Sequence, residues 1–292
     1  MAAQAMPQIS EDKKRLTELN KIVVGHDFSD AADQAFADAM ALAGRFNAQI
    51  VVAHATGSNS DKAAHRQDSQ QVDTEMEHIV KRIAQAGYPC KSIVRAGTAA
   101  AMLCDVVDEE GADLLIVGAY GKGSKNRTTL GSTAELLLRS IQCPVLTYGP
   151  RFVQPLFQLR KPFSILVPIE LPCDPRSLSF AINVAKLFKA KLEIVHVVDM
   201  TQAVSMPHAF QDMQYTCENI AAQLRTGDVE VAGSVLFGKP DAAIVSRSQD
   251  LQSSLILMPL ETRGHLSSAR SDNVAAKVIR NSTSPVMTYR ID

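Results

Sequence analysis

Net charge is almost absent from this sequence, in which 30 lysines and arginines face 31 aspartates and glutamates. So close a balance excludes the broad field that draws a protein to nucleic acid, to an anionic membrane or to an acidic partner, and it confines any anion site to a local arrangement. Long apolar runs are missing too. No segment approaches the roughly 20 residues needed to span a bilayer. The first twenty residues, Met1 to Asn20, hold the charged run Glu11, Asp12, Lys13, Lys14 and Arg15 where a secretory leader would need an apolar stretch. Cysteines are few, odd in number and scattered, at positions 90, 104, 143, 173 and 217, with no Cys-x-x-Cys pair. That pattern argues against a disulfide framework or a zinc site and predicts reduced thiols in a cytoplasmic protein. The Asn-x-Ser/Thr triplets at Asn126 and Asn281 are then chance matches, since glycosylation requires a secretory route.

What is present is an ordinary globular composition, 46% hydrophobic and 21% charged, over 292 residues. That length is about twice what one core usually serves, so two domains are expected. An internal repeat supports this. Cys143-Pro-Val-Leu-Thr-Tyr148 returns as Ser284-Pro-Val-Met-Thr-Tyr289, 141 residues further on. At the same offset Val94–Gly97 meets Val235–Gly238, and Leu114–Val117 meets Leu255–Met258. With slight drift Ile22–Gly25 faces Ile165–Pro168, and His54 faces His196. The expected organisation is an N-terminal extension over 1–19, a first domain over 20–149, a linker over 150–162 and a second domain over 163–292. Pro150, Pro155 and Pro162 in the linker suit a semi-rigid spacer.

Within the first copy, short apolar runs at 22–25, 50–53, 92–95, 114–118 and 145–148 read as strands. Runs without polar alternation predict parallel strands covered by helices on both faces. Between them lie helical stripes over 31–46, 72–84, 99–107 and 132–141, the first with Ser29 as its N-cap and Asp30 and Asp33 in its first turn. The reading is β-α-β-α-β-α-β-α-β, doubly wound, and repeated.

In such sheets a ligand crevice opens beyond the carboxyl ends of the strands, where strand order reverses. Gly25-His-Asp-Phe-Ser29 follows the first strand, and Gly118-Ala-Tyr-Gly-Lys-Gly123 follows the fourth. A polar loop then leads to Gly131-Ser-Thr-Ala-Glu135, which opens a helix. Glycines at 118 and 121 would permit positive φ and close backbone approach, and a helix N-terminus at Gly131 and Ser132 favours an anion. Together they form a cradle for a polyphosphate. A Walker motif is excluded, because Ser124-Lys125 follows Gly123 where Lys-Ser/Thr would be required.

Gly118, two residues, Gly121, nine residues and Gly131-Ser132 resemble the nucleotide-binding signature of universal stress proteins at every defined position. Ile22-Val-Val-Gly-His-Asp-Phe-Ser29 resembles that family's first strand with its acidic residue, and Cys143-Pro-Val-Leu146 its closing segment. The resemblance covers both copies, residues 20 to 292. It implies an adenine-nucleotide α-hydrolase-like α/β fold, two doubly wound five-stranded parallel sheets of order 3-2-1-4-5 in tandem. It further implies ATP held between strands one and four, and pairing through the last strand. Asp27 would then bond the adenosine part, the stretch around Val52 would lie against adenine, and Gly118, Gly121, Gly131, Ser132 and Thr133 would hold phosphates. Magnesium or manganese would ride on the nucleotide, since no dedicated protein cage for it is visible.

Structural alternatives stand beside these roles. Asp27 could cap the following helix, and Ser132 could be a plain N-cap. Lone histidines near strands, such as His54 and His196, are usually structural. Lys122, Lys125 and Arg127 could neutralise phosphate or simply be solvated. No nucleophile, base and orienting acid converge, so any enzymatic activity would be at most a slow ATP hydrolysis. In the second copy the matching positions are Pro259, Thr262, Asp272 and Asn273, with Glu170 or a neighbour in place of Asp27. That copy is expected to lack the cradle and to act as a structural partner. The halves would form an intramolecular pseudo-dimer through Val145–Tyr148 and Val286–Tyr289, with a homodimer of chains also open. The function expected is a regulatory or sensing ATP-binding stress-response protein, the alternative a nucleotide-free scaffold.

Overall fold

The computed structural model describes residues 19–57, 62–121, 130–152, 156, 162–199, 209–225, 227–261 and 268–291, with backbone only for 62–69, 209 and 268–272. The first half runs β1 (Lys21–Gly25), α1 (Asp30–Phe46), β2 (Gln49–Thr56), α2 (Lys62–Gln85), β3 (Cys90–Ala96), α3 (Ala99–Glu110), β4 (Leu114–Gly118), α4 (Ser132–Ser140) and β5 (Val145–Tyr148). The second runs β6 (Ser164–Ile169), a 3₁₀ turn (Pro175–Leu178), α5 (Ser179–Phe188), β7 (Lys191–Val198), α6 (Ala209–Leu224), β8 (Val231–Phe237), α7 (Pro240–Asp250), β9 (Leu255–Glu261), α8 (Ser268–Asn281) and β10 (Val286–Ile291).

Local chemistry sets the helix ends. Ser29 caps α1, its Oγ accepting from the Ala32 amide at 3.3 Å, and Asp30 and Asp33 complement the positive helix end. Gly111 closes α3 in the left-handed region at φ 59. Strands β1 and β4 are apolar without alternation and buried on both faces. Val24, Val52 and Ile116 point into one core with α1, whereas Val23, Val51, Leu115 and Val117 point into another with α3. Each such aliphatic side chain contributes about 1.5–3 kcal/mol on burial.

All ten strands form one sheet in the order β3-β2-β1-β4-β5-β10-β9-β6-β7-β8. Every described pairing is parallel except β5 with β10, where Val286, Met287 and Thr288 face Thr147, Leu146 and Val145 antiparallel. The halves are thus a pseudo-dimer within one chain, and the last strand of each covers the edge the other would expose. On one face the core runs unbroken across the seam, from Leu146 and Tyr148 to Ile165, Met287 and Tyr289.

Two expectations are corrected. The β3 run was expected to be covered on both faces, yet among its residues only Ile93 is buried and Val94 is 40% exposed. Its place at the sheet edge leaves it short of covering helices. The connector is also more than a spacer. Leu156 is buried, and its amide donates to Asp38 Oδ2 at 2.7 Å, fastening the connector to α1.

Candidate functional site

Strands β1 and β4 lie side by side, Gly25 in register with Val117, so the loops that follow them open at the same end of the sheet. Here the strand order turns, with β2 and β3 on one side and β5 on the other. Asp27 is half-buried in the first of these loops. Its Oδ1 accepts from the Ser29 amide at 3.2 Å and the Ser29 hydroxyl at 2.6 Å. Asp27 therefore orients the cap residue while Ser29 itself caps α1. Its other oxygen faces the β4 loop, since a Cβ on Gly121 would stand 2.8 Å from Asp27 Oδ2.

The remaining glycines work in the same way. A Cβ on Gly131 would meet the Ala119 carbonyl oxygen at 2.8 Å, and one on Gly118 would meet Ala31 Cβ at 3.0 Å. Nothing at a backbone oxygen can yield as a flexible side chain can, so Gly131 is what lets the start of α4 close on the β4 loop. The Gly131 amide donates to Ala119 O at 3.2 Å. Positive φ, expected at Gly118 and Gly121, is not used at either; close approach is the whole reason for them.

Gly131 is the N-cap of α4 and offers no side chain to the first amides. Ser132 is exposed and Thr133 half-buried in the first turn, so Ser132 is a helical residue and not the cap. The first amides of α4 carry the partial positive charge of a helix N-terminus, and Gly131 sets that end against Ala119 of the β4 loop. Asp27, Gly118, Gly121, Gly131, Ser132 and Thr133 thus share one end of the sheet. Val52 does not join them. It is fully buried mid-strand between Val24 and Ser92, and its side chain lies in the core. Lys122, Lys125 and Arg127 lie outside the described residues.

Three features of the site gave no sequence signal. Phe28 takes φ 60, a conformation uncommon outside glycine, and its ring packs on His54 at 4.5 Å. His26 is buried, and its Nδ1 accepts from the Phe28 amide at 3.2 Å, which leaves the proton on Nε2, 3.5 Å from Asp33. Burial holds the His26 imidazole below its ordinary value, against the opposing pull of Asp33 and Asp27. Tyr120, between the glycines, is buried away from solvent, and that burial raises its phenol. The two strand histidines make matching contacts to backbone carbonyls: His54 Nδ1 lies 2.7 Å from His26 O, and His196 Nδ1 lies 3.1 Å from Ile169 O at the equivalent point of the second half.

The second half ends differently. Pro259 lies within β9 and Glu170 is exposed beyond β6. Helix α8 begins at Ser268, earlier than α4 does relative to its strand, so Asn273, the counterpart of Ser132, is already in the second turn with its amide engaged in the helix. Among the described residues, no helix N-terminus stands at Asn273, where the first half has one at Ser132. Thr262 and the Asp272 side chain lie outside the described residues. Among the described residues no three His, Cys, Asp or Glu side chains gather as a metal site, and no helix is long and apolar enough to cross a membrane.

Comparison with known proteins gives concordant results. The model of the universal stress protein family matches residues 18–148 and again 163–290. A universal stress protein of Methanocaldococcus jannaschii is 28% identical over 78 residues, 27% of this chain and 48% of that protein. One from Synechocystis sp. is 32% identical over 87 residues, 30% of this chain and 55% of that protein. The aligned stretches therefore span about half the length of these relatives. The crystal structure of a universal stress protein from Archaeoglobus fulgidus superimposes with a TM-score of 0.70 at 20% identity, covering 94% of this chain and 99% of that one, which establishes the shared fold.

Proposed function

The chain belongs to the universal stress protein family, and from that premise we propose that its first half binds ATP as a regulatory or sensing ligand while its second half serves as a structural partner. One observation carries the reading. Asp27, Gly118, Gly121 and Gly131 converge with the α4 N-terminus at the strand-order switch, packed so that a Cβ at 121 or 131 would stand only 2.8 Å from Asp27 Oδ2 or Ala119 O. That arrangement admits the close approach of backbone and no side chain at these two positions.

In this reading the glycine backbone and the first-turn groups Ser132 and Thr133 take the phosphates, where the helix end favours negative charge. Asp27 accepts from the adenosine hydroxyls. Val52 would contribute to the adenine end only by backing it from within the core. Magnesium or manganese would be carried by the phosphates with water, because among the described residues no three His, Cys, Asp or Glu side chains gather as a metal site. The described cysteines are free thiols, which suits the reducing cytoplasm.

The missing cradle of the second half favours a scaffold role for that half, and a nucleotide-free scaffold is the second reading for the whole chain. Calorimetric titration of the purified chain with ATP, beside a Gly131→Asp variant, decides between them. One equivalent bound by the wild type and none by the variant supports the proposal. Two equivalents would place a site in the second half, and no uptake, with no nucleotide released on denaturation, would leave the scaffold.

A further inference from the structure

Tyr120 stands between two glycines of the cradle, yet its ring is turned away from solvent, 9% exposed, into a buried cluster built largely by the other half. Met258, Leu260, Val278 and Ile279 belong to that cluster, and Leu130, immediately before Gly131, packs against it. The Arg280 guanidinium of α8 is close enough to oppose the upward push that burial gives the phenol. Both described ends of the cradle loop are therefore fastened to the second half.

The backbone beneath them is fastened as well. Ala119 N donates to Tyr148 O at 2.9 Å, and Ala119 O accepts from Gly131 N at 3.2 Å, so one residue ties the last strand to the α4 cap. The next residue of β5's exit, Gly149, lies so near α8 that a Cβ would stand 2.1 Å from Ile279 O. At the counterpart position of the second half, Arg290 donates to Leu138 O at the end of α4 and to Glu261 O at 3.1 Å. Cradle, β5 and α8 form one continuous packing unit.

The geometry points to Tyr120 as a positioning residue through which the second half, lacking a cradle of its own, holds the first half's cradle in shape. Its ring anchors the peptide that carries Ala119 and Gly121, and with it the approach of Gly131. A polyphosphate would meet a preformed nest of amides instead of ordering one, and binding gains affinity when that ordering is already done. The proposal rests on the reading of the cradle as a nucleotide site only for this last consequence; the positioning itself is a property of the free chain.

The test is hydrogen–deuterium exchange of the free full-length chain, read by mass spectrometry for wild type, Tyr120→Ala, Tyr120→Leu and Tyr120→Phe. The first two should exchange roughly tenfold faster at amides 119–121 and 131–134 while β2 and β3 keep their protection, and the phenylalanine variant, which keeps the ring, should match wild type. Unchanged exchange at those amides in the alanine and leucine variants overturns the proposal. So does acceleration spread evenly over both halves, which marks Tyr120 as an ordinary core residue. ATP titration of the same variants should show affinity weakened roughly tenfold by Ala and Leu and spared by Phe. Should the wild type bind no ATP, the nucleotide reading falls by itself, and the exchange pattern still decides the role of Tyr120.

Discussion

The Tyr148 hydroxyl donates a hydrogen bond to the fully buried carboxylate of Asp38, and the same oxygen accepts from the Leu156 amide at 2.7 Å. At the counterpart place in the second half Tyr289 stacks on Phe180, ring centroids 4.4 Å apart, and its buried hydroxyl has no partner among the described residues. One half closes its core with a hydrogen bond to a buried carboxyl group that also holds Leu156 of the connector; the other closes it with two rings. Tyr148→Phe should therefore cost about 1–3 kcal/mol, the penalty for leaving a buried acceptor short of its donor. Tyr289→Phe should be neutral or stabilising, since it removes an unsatisfied hydroxyl. Denaturant unfolding of the two variants measures the contrast, and equal costs would contradict it.

The cradle glycines differ in what a side chain would strike. At Gly131 the obstacle is the Ala119 carbonyl, part of the backbone, whereas at Gly121 it is the end of the Asp27 side chain. Gly131→Ala should destabilise the chain by about 1–3 kcal/mol, in the range of overpacking, and weaken ATP. Gly121→Ala should leave stability nearly unchanged but displace Asp27 and weaken ATP all the same. Thermal melts beside ATP titrations separate the two, and full affinity in the Gly121 variant would count against Asp27 as a ligand.

His26 is buried next to Asp27, and burial holds its imidazole below the ordinary 6.5. The unfolded chain then takes up the proton first as pH falls, so the folded state loses stability on going below about 6.5, down to the lowered folded value. Above 6.5 the contribution is fully present. His26→Gln should flatten the stability profile between about pH 7 and 5 relative to wild type. Parallel profiles in that window would remove His26 from the account.

Glu193 on β7 accepts from the Arg247 guanidinium at 2.8 and 3.0 Å and from the Ser234 hydroxyl at 2.7 Å. In the first half the counterparts of the pair are Val51 and Val106, both buried. Arg247→Val should cost about 2–4 kcal/mol by leaving a mostly buried carboxylate short of its partner, somewhat less than a fully enclosed pair because Arg247 remains a third exposed. Adding Glu193→Val should recover most of the loss, since an apolar pair already works at the equivalent place. A double-mutant cycle on unfolding free energies reads the coupling directly.

The strands, the helices and the repeat were legible because each rests on local pattern, and the loss of the glycines at Pro259, Thr262 and Asp272 is written in the sequence itself. Leu114–Gly118 can only be a covered strand, Ser29 offers a cap, and the Gly118, Gly121 and Gly131 spacing needs no tertiary knowledge to notice. The same local reading misjudged Val94, which is apolar but lies on an edge strand, whereas the role of the stretch around Val52 came from the family resemblance, and the Val52 side chain itself lies in the core. Exposure is set by neighbouring elements, which a run of residues does not name.

By itself, then, the sequence determined two doubly wound halves and which of them keeps its glycines, because hydrophobic period and the absence of a Cβ act over a few residues. Only the tertiary structure decided that those glycines serve close approach instead of positive φ. It alone ran α8 past the point where α4 begins. It alone turned Tyr120 away from the crevice and into the other half. These outcomes depend on contacts between segments distant in sequence, from Gly121 beside Asp27 to Tyr120 in one cluster with Met258 across the β5–β10 seam, and such contacts are chosen by packing the whole sheet at once.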